Sequence, residues 1–331
     1  MSPSPLPEAL GDPFAVSSAL ALGVGAGRLR GRDLDTPFFG VRSGTPPPNE
    51  RGEASVRRRA NAFAVRMRST EFFCLVSACA LWGAPLPNWI FSERDAEGSH
   101  ADRPLDVGVL LPARAPRGSG VRGRSVKPGL AHIVTEPATG LRATSPAATW
   151  AMMGALLSVE DLVVLGDYFV REPMRREDPP ALTTVDQLAA MMTAGRRRGI
   201  AALRESLPLI RIRSRSRQET RTRLTLVDGG LPEPELNWPV VVDGRIVALI
   251  DLAYPELLLG FEYEGEHHLT DPEQWATDIT RIEMLADLGW RIIRVVKSDL
   301  KSERAPFLAR ARGAYRARAS ASERGGPAAS C

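Results

Sequence analysis

The hydrophobic and polar positions in the last third of the chain predict a continuous series of elements. In order, they are a helix over 216–228, strands over 236–242, 245–252 and 257–263, a helix that begins after Asp271, and a strand over 290–296. Asp243-Gly244 lies between the first two strands and favours a two-residue hairpin turn. Because the third strand is strongly apolar, we expect it at the centre of the sheet. Residues 211–300 are therefore predicted to form one αβββαβ domain.

The first 45 residues show a different pattern. A short helix near 17–22 stops at a pair of glycines, a basic helix spans 28–34, and a short strand follows at 37–41. This order is typical of a winged helix-turn-helix, although any small helical hairpin has the same spacing. If it is a winged helix, Arg28, Arg30 and Arg32 lie on the helix that contacts DNA.

Residues 46–205 predict a mixed α/β middle domain. The predicted helices are 60–81, 147–157, 159–170 and 185–193, and the predicted strands are 107–111 and 132–134. Residues 301–331 are basic, and we expect a disordered tail there. The chain as a whole is assigned to the α/β (α+β) class.

Composition excludes several classes of protein. Of 331 residues, 44% are hydrophobic and 25% are charged, which is ordinary for a folded protein. No run reaches the ~18 apolar residues of a membrane span, and the N-terminus lacks the pattern of a secretory signal. The three cysteines, Cys74, Cys79 and Cys331, are too scattered for a disulfide framework. We expect a cytoplasmic protein with no membrane partner.

The charge distribution is uneven although the net charge is only +4. Residues 211–300 hold 11 Lys/Arg and 16 Asp/Glu. Within and beyond this range, the acidic segment lies between arginine-rich segments at 211–223 and 304–324. Such an arrangement suits a nucleic-acid backbone held around a metal site. With only three lysines in the chain, the excess of arginine also fits a GC-rich genome.

Acidic residues occur where a buried strand should avoid them. Asp251 follows an apolar run, and Glu262 and Glu264 are two residues apart, so that on a strand they share a face. Converging carboxylates repel one another unless a cation neutralises them, and Mg²⁺ prefers oxygen ligands. The neutral alternative is that these residues simply lie at a strand edge in water. His267 and His268 follow three and four residues after Glu264.

These residues resemble a known signature. Asp251, the Glu262-Tyr263-Glu264-Gly265 segment and His267 are similar to the D…E-x-D-G…H pattern of the PD-(D/E)xK nuclease superfamily, and in particular to its very-short-patch-repair-like branch. The similarity covers 216–300 and includes Glu219. Residues 13–43 resemble the winged helix of AbiEi-type antitoxins, and residues 141–170 resemble the domain that follows it in those proteins. Two departures are Glu264 in place of the usual aspartate and the absence of the superfamily lysine.

The resemblance implies a restriction-endonuclease-like core and a nuclease that uses Mg²⁺ (or Mn²⁺). Asp251 and Glu262 would hold the metal with support from Glu219, Glu264 would be a third ligand or orient water, and His267 would act as a base or hold a phosphate. The residues assigned to phosphate or DNA are Arg28, Arg30, Arg32, Arg217, Arg221 and Arg281. Arg281 lies three residues after Asp278, which is also the spacing of a helical ion pair.

The expected partner is DNA, with RNA as an alternative substrate, and a role in DNA repair or phage defence would add a toxin or defence-system partner. The second hypothesis is a DNA-binding regulator or antitoxin whose nuclease-like domain is inactive. The departure at Glu264 favours it.

Overall fold

The chain folds into two units, each with its own hydrophobic core. The computed structural model describes residues 4–94, 99–264 and 272–325, and of 100, 272–279 and 325 it describes the backbone alone. Unit 1 comprises Met1–Phe169 and Leu182–Leu209, and unit 2 comprises Val170–Ala181 and Ile210–Cys331. Helices and strands occur in both, so the α/β class is confirmed.

Unit 1 combines short helices with a six-stranded sheet. Its helices are α1 (Val16–Ala21), α2 (Gly52–Ala64), α3 (Leu75–Leu81), α4 (Pro146–Met153), α5 (Val159–Val170, which ends at the first residue of unit 2), α6 (Val185–Thr193) and α7 (Ile200–Ser206). Its strands are β1 (Phe14–Ala15), β2 (Val41–Arg42), β3 (Glu71–Phe73), β4 (Ser92–Arg94), β5 (His100–Asp102), β6 (Leu105–Leu110), β7 (Arg117–Gly118), β8 (Val121–Val126), β9 (Ile133–Thr135) and β10 (Arg142–Thr144). The main sheet has the order β7-β8-β6-β3-β10-β9, and β1-β2 and β4-β5 are separate pairs.

The predicted boundary between residues 1–45 and 46–205 is not present. The N-terminal residues pack on α2, where the rings of Phe38 and Phe63 meet edge to face at 5.3 Å. Arg66 Nη1 also donates to the Phe39 carbonyl at 2.8 Å. The first 45 residues therefore belong to unit 1, in which Phe14, Ala19, Leu29 and Leu34 form a small core of their own.

The basic helix predicted over 28–34 is wrong. Arg28–Arg30 forms a single 3-10 turn between two glycines, and Leu29 is buried beneath it. Arg28 folds back onto Asp33 through two hydrogen bonds of 3.1 and 2.8 Å. The local ion pair and the glycines prevent the turn from growing into a recognition helix.

The helix predicted over 60–81 is also wrong. Two helices, α2 and α3, occupy this region, and β3 lies between them. The Glu71-Phe72-Phe73 segment pairs with β6, because its aromatic side chains fill the sheet core with no exposed surface. Helix α6 begins as predicted, with a capping box between Thr184 and Gln187.

Unit 2 contains the predicted αβββαβ order. Its elements are α8 (Arg217–Asp228), β11 (Glu235–Val242), β12 (Arg245–Tyr254), β13 (Leu259–Tyr263), α9 (Pro272–Asp287), β14 (Arg291–Val295) and α10 (Arg304–Gly325). The sheet order is β11-β12-β13-β14, with β13 antiparallel to β12 and parallel to β14. The hairpin at Asp243-Gly244 and the interior position of β13 are both confirmed. The cap at Asp271 lies outside the described residues.

The disordered tail predicted for residues 301–331 is wrong over most of its length. Helix α10 packs its apolar face onto the sheet of unit 2, with Phe307, Ala311 and Ala314 buried in the core. The Phe307 and Phe261 rings meet edge to face at 6.3 Å. Arginines occupy many of the exposed positions of α10, so the composition of the segment does not reveal the spacing of its apolar residues.

No helix in the described part of the chain has the length and apolar character needed to cross a membrane.

Candidate active site

Asp251 lies in β12 beside the end of β13. The register that pairs Leu252 with Phe261 places Asp251 opposite Glu262 on the neighbouring strand. The backbone N–H of Tyr263 donates to Asp251 Oδ2 at 3.1 Å. The sheet thus brings together two of the acidic residues that the sequence singled out.

Burial is the main cause of the unusual titration of Asp251. Together with the negative charges of Glu219 and Glu262, burial raises the pKa of the carboxyl to about 7. The hydrogen bond from Tyr263 and the positive charge of Arg281 act in the opposite direction. The ionised form of Asp251 is therefore poorly compensated, and a cation would stabilise it.

Glu219 is buried in the first turn of α8, with 6% of its surface exposed. Ser216 caps the helix by accepting from the Glu219 N–H at 3.1 Å. The Glu219 carboxylate accepts from the Arg215 N–H and from Asn237 Nδ2, both at 2.9 Å. Burial raises its pKa, and these hydrogen bonds lower it in part. The sequence placed Glu219 near the site, and its charge does act on Asp251.

Asn237 is a residue of this site that the sequence analysis missed. It is buried in β11 with a φ of 47°, a left-handed conformation that asparagine tolerates better than most residues. Its amide donates to Glu219 and to the Arg213 carbonyl, both at 2.9 Å. The signal in the sequence is a single amide residue, followed by Trp238-Pro239, inside an apolar strand.

The Glu262 carboxylate forms an ion pair with Arg281. Arg281 Nη1 and Nη2 lie 2.8 and 2.7 Å from the two carboxylate oxygens, and the Glu262 side chain is 12% exposed. The pair joins β13 to α9. Arg281, which the sequence assigned to phosphate, therefore contacts the acidic cluster. The Asp278 side chain lies outside the described part of α9.

Glu264 is separate from this cluster. It follows β13, and its carboxylate forms an exposed ion pair of 2.7 Å with Arg294 of β14. Among the described residues, the charges that act on Asp251 are those of Glu219, Glu262 and Arg281. The role of Glu264 as a third ligand stays a prediction, and its carboxylate is paired with Arg294 at the surface. His267 and His268 lie outside the described residues.

The arginines assigned to phosphate are divided between the two units. Arg28, Arg30 and Arg32 belong to unit 1, and Arg217, Arg221 and Arg281 belong to unit 2. Arg221 Nη2 donates to the Leu300 carbonyl at 3.3 Å and so helps to hold the loop that precedes α10.

Three arginines and one acidic residue, Glu172, are among the residues that line a cavity of about 810 Å³ in unit 2. Arg281 lines it together with Arg175 and Arg213, and apolar residues at the start of β12 form another wall. Arg281 thus stands between this cavity and Glu262, in a position to contact a phosphate group and the acidic cluster.

The acidic cluster matches Mg²⁺ in donor chemistry and less well in geometry. Three carboxylates provide hard oxygen donors; burial raises the pKa of Asp251 and Glu219, whereas Arg281 already neutralises Glu262. Among the described residues, however, no group of three or more Asp, Glu, His or Cys side chains is close enough to hold an ion. Glu262 contacts Arg281 and Glu219 contacts Asn237, and these contacts explain why the carboxylates do not form such a group.

Comparison with known proteins places the chain in a family. Over 270 residues it is 33% identical to the uncharacterized proteins MT2308 and Rv2248 of Mycobacterium tuberculosis, from strains CDC 1551 / Oshkosh and ATCC 25618 / H37Rv. The match covers 78% of this chain and 86% of each relative. No protein-family model and no solved structure matches the chain. The similarity to these relatives is sufficient in identity and length to conclude that the chain belongs to the family of these two mycobacterial proteins.

Proposed function

We propose that unit 2 is a metal-dependent nuclease that hydrolyses phosphodiester bonds in DNA. The observation that carries the proposal is the half-buried Asp251, whose pKa of about 7 reflects burial next to Glu219 and Glu262. Buried carboxylates that repel one another reduce stability, and groups perturbed in this way are concentrated at functional sites.

Asp251 is the principal ligand in this proposal, with Glu262 and Glu219 completing the acidic site. When bound there, Mg²⁺ or Mn²⁺ supplies Lewis-acid polarisation of the phosphoryl group. Asp251 must lose its proton to act as a ligand, and Glu262 must exchange its contact with Arg281. Asn237 and the Arg215 N–H keep the Glu219 carboxylate oriented.

Arg281 has two tasks in the proposed reaction. In the free protein it neutralises Glu262, and with substrate bound it turns its guanidinium to a phosphate in the adjoining cavity. Arg175 and Arg213 would position neighbouring phosphates without reading the base sequence. RNA has the same phosphates and remains the alternative substrate.

A DNA-binding regulator or antitoxin with an inactive nuclease-like domain is the second candidate. The ion pairs Glu262–Arg281 and Glu264–Arg294 favour it, since arginines neutralise two of the three carboxylates of the proposed signature. The compartment proposed for either function is the cytoplasm, and a toxin or defence-system protein is the proposed partner.

The test is a cleavage assay on the purified full chain. Supercoiled, linear and single-stranded DNA, and RNA, are incubated with Mg²⁺, with Mn²⁺, or with a chelator. We expect metal-dependent cleavage by the wild type and by Glu256→Gln, a control at an exposed position next to β12. Asp251→Asn and Glu262→Gln should be inactive. DNA binding without cleavage under all these conditions would support the regulator instead.

A further inference from the structure

Unit 1 contains a cavity of about 780 Å³ with a strongly basic lining. It lies beside β8 and the loop that joins α6 to α7. Its cationic residues are Arg124, Lys127, Arg196, Arg197 and Arg198, and its described lining includes no Asp or Glu. Leu130, Met152 and Leu156 are among the residues that give it an apolar wall.

Arg197 is held in this lining in an unfavourable state. Its Nε and Nη2 atoms are shielded from water and have no hydrogen-bond partner in the described part of the chain. Burial lowers the pKa of its guanidinium, which shows that the charged form is poorly solvated. Arg124, in contrast, is neutralised by Asp106 at 2.8 Å. An unpartnered, desolvated guanidinium costs free energy that a bound anion would offset.

Close packing fixes the basic loop next to the cavity. Gly199 has a φ of 76° and lies against the Gly154 carbonyl, where any Cβ atom would collide with the oxygen. At Gly195, at the other end of the loop, a Cβ atom would meet only the end of the Leu130 side chain, which can move. Gly199 is therefore the position that accepts no other residue, and it fixes the end of the 196–198 segment beside the cavity.

We propose that this cavity binds a small organic phosphate of about the size of a nucleoside monophosphate. Its volume lies within the range of roughly 300–1,000 Å³ that is usual for small-molecule sites. The cations would hold the phosphate, to which arginine binds in a bidentate manner, and the apolar wall would cover the organic part. The proposal concerns unit 1 alone and does not depend on the carboxylate site.

Isothermal titration calorimetry of the full chain tests the proposal. The ligands are the four nucleoside 5′-monophosphates, with adenosine and inorganic phosphate for comparison. We expect saturable binding of at least one monophosphate at a single site, weaker binding of inorganic phosphate, and no binding of adenosine. Arg197→Met should weaken the affinity about tenfold or more, because it removes a charged hydrogen-bonding group. Arg204→Met, at an exposed position on α7 outside the cavity lining, should bind as the wild type does.

The melting temperature of the ligand-free variants separates binding from a structural role. Arg197→Met should melt at the wild-type temperature or above it, because an unpartnered cation has been removed. Lys127→Met, at an exposed position, gives a second test that leaves the buried atoms of Arg197 intact, and it too should weaken binding.

Failure of all four monophosphates to bind at millimolar concentration would overturn the proposal. Equal affinity of the Arg197→Met and Arg204→Met variants would overturn it too. So would binding confined to a 5′-phosphorylated oligonucleotide, since that result assigns the cavity to the end of a nucleic acid.

Discussion

Arg281 of α9 and Glu262 of β13 form a bidentate ion pair in which both carboxylate oxygens accept hydrogen bonds of 2.7–2.8 Å. The pair lies next to Asp251, and the charge of Arg281 lowers the pKa that burial raises. In the absence of metal, Arg281 is thus the cation that compensates the negative charge of the acidic cluster. In the proposed metal site, a divalent ion would compete with Arg281 for the Glu262 carboxylate.

Replacing Arg281 should make this competition measurable. We expect Arg281→Met to lower the free energy of unfolding by about 1.5–3 kcal/mol in a chelator, because Glu262 loses a charged hydrogen-bonding partner. Saturating Mn²⁺ should restore more stability to this variant than it adds to the wild type. Urea unfolding with and without metal measures both effects. Arg294→Met, which breaks the exposed pair with Glu264, is the control and should cost about 1 kcal/mol or less.

The titration of Asp251 should make stability depend on pH. Because its folded pKa of about 7 exceeds the usual 3.8, the native protein retains a proton that the unfolded chain loses. The contribution of Asp251 to stability therefore falls as the pH rises from about 4 to about 7, by about 4 kcal/mol at most. Asp251→Asn stays neutral and should be more stable than the wild type at pH 8. Urea unfolding at pH 5 and pH 8 measures the difference, and Glu256→Gln should keep the wild-type dependence.

Asn237 should be required to keep Glu219 in place. Asn237→Ala removes the amide that donates to Glu219, and alanine tolerates the positive φ of this position less well than asparagine does. We therefore expect the free energy of unfolding to fall by about 1–3 kcal/mol. Asn237→Asp keeps the preference for this backbone conformation and adds a carboxylate beside Glu219. Its loss should be greatest at pH 8 and smaller at acid pH. A loss that does not vary with pH would contradict the electrostatic account of this contact.

Helix α10 should be essential to unit 2. Phe307→Ala removes a fully buried ring that packs on Phe261, and we expect it to cost about 3–5 kcal/mol. Arg316→Ala, at an exposed position on the same helix, should change stability by about 0.5 kcal/mol or less. Thermal unfolding followed by circular dichroism measures both. If Phe307→Ala left the melting temperature unchanged, the packing of α10 would be in question.

The parts predicted correctly from sequence depend on local rules. The Asp243-Gly244 turn needs only two residues of the right conformation, and the order of elements in unit 2 follows from short periodic segments. The register of β12 and β13 then places Asp251 opposite Glu262, as the spacing implied.

The parts predicted wrongly depend on contacts that are distant in the sequence. Nothing in the spacing of Glu262 and Arg281 shows that they will pair, because α9 must first pack on the sheet. The same holds for Asn237 with Glu219, which are 18 residues apart. The apolar positions of α10 are alanines and a phenylalanine among arginines, so composition alone indicated a solvated tail.

The central claim is that a divalent ion binds at Asp251, and calorimetric titration of the full chain with Mn²⁺ at pH 6 tests it most directly. Because Asp251 is largely protonated at this pH, binding should release a proton, and the measured heat should change with the ionisation enthalpy of the buffer. We predict one site in the wild type and in Glu256→Gln, with proton release, and no binding to Asp251→Asn. No binding to the wild type, or equal binding with equal proton release in Asp251→Asn, would contradict the account.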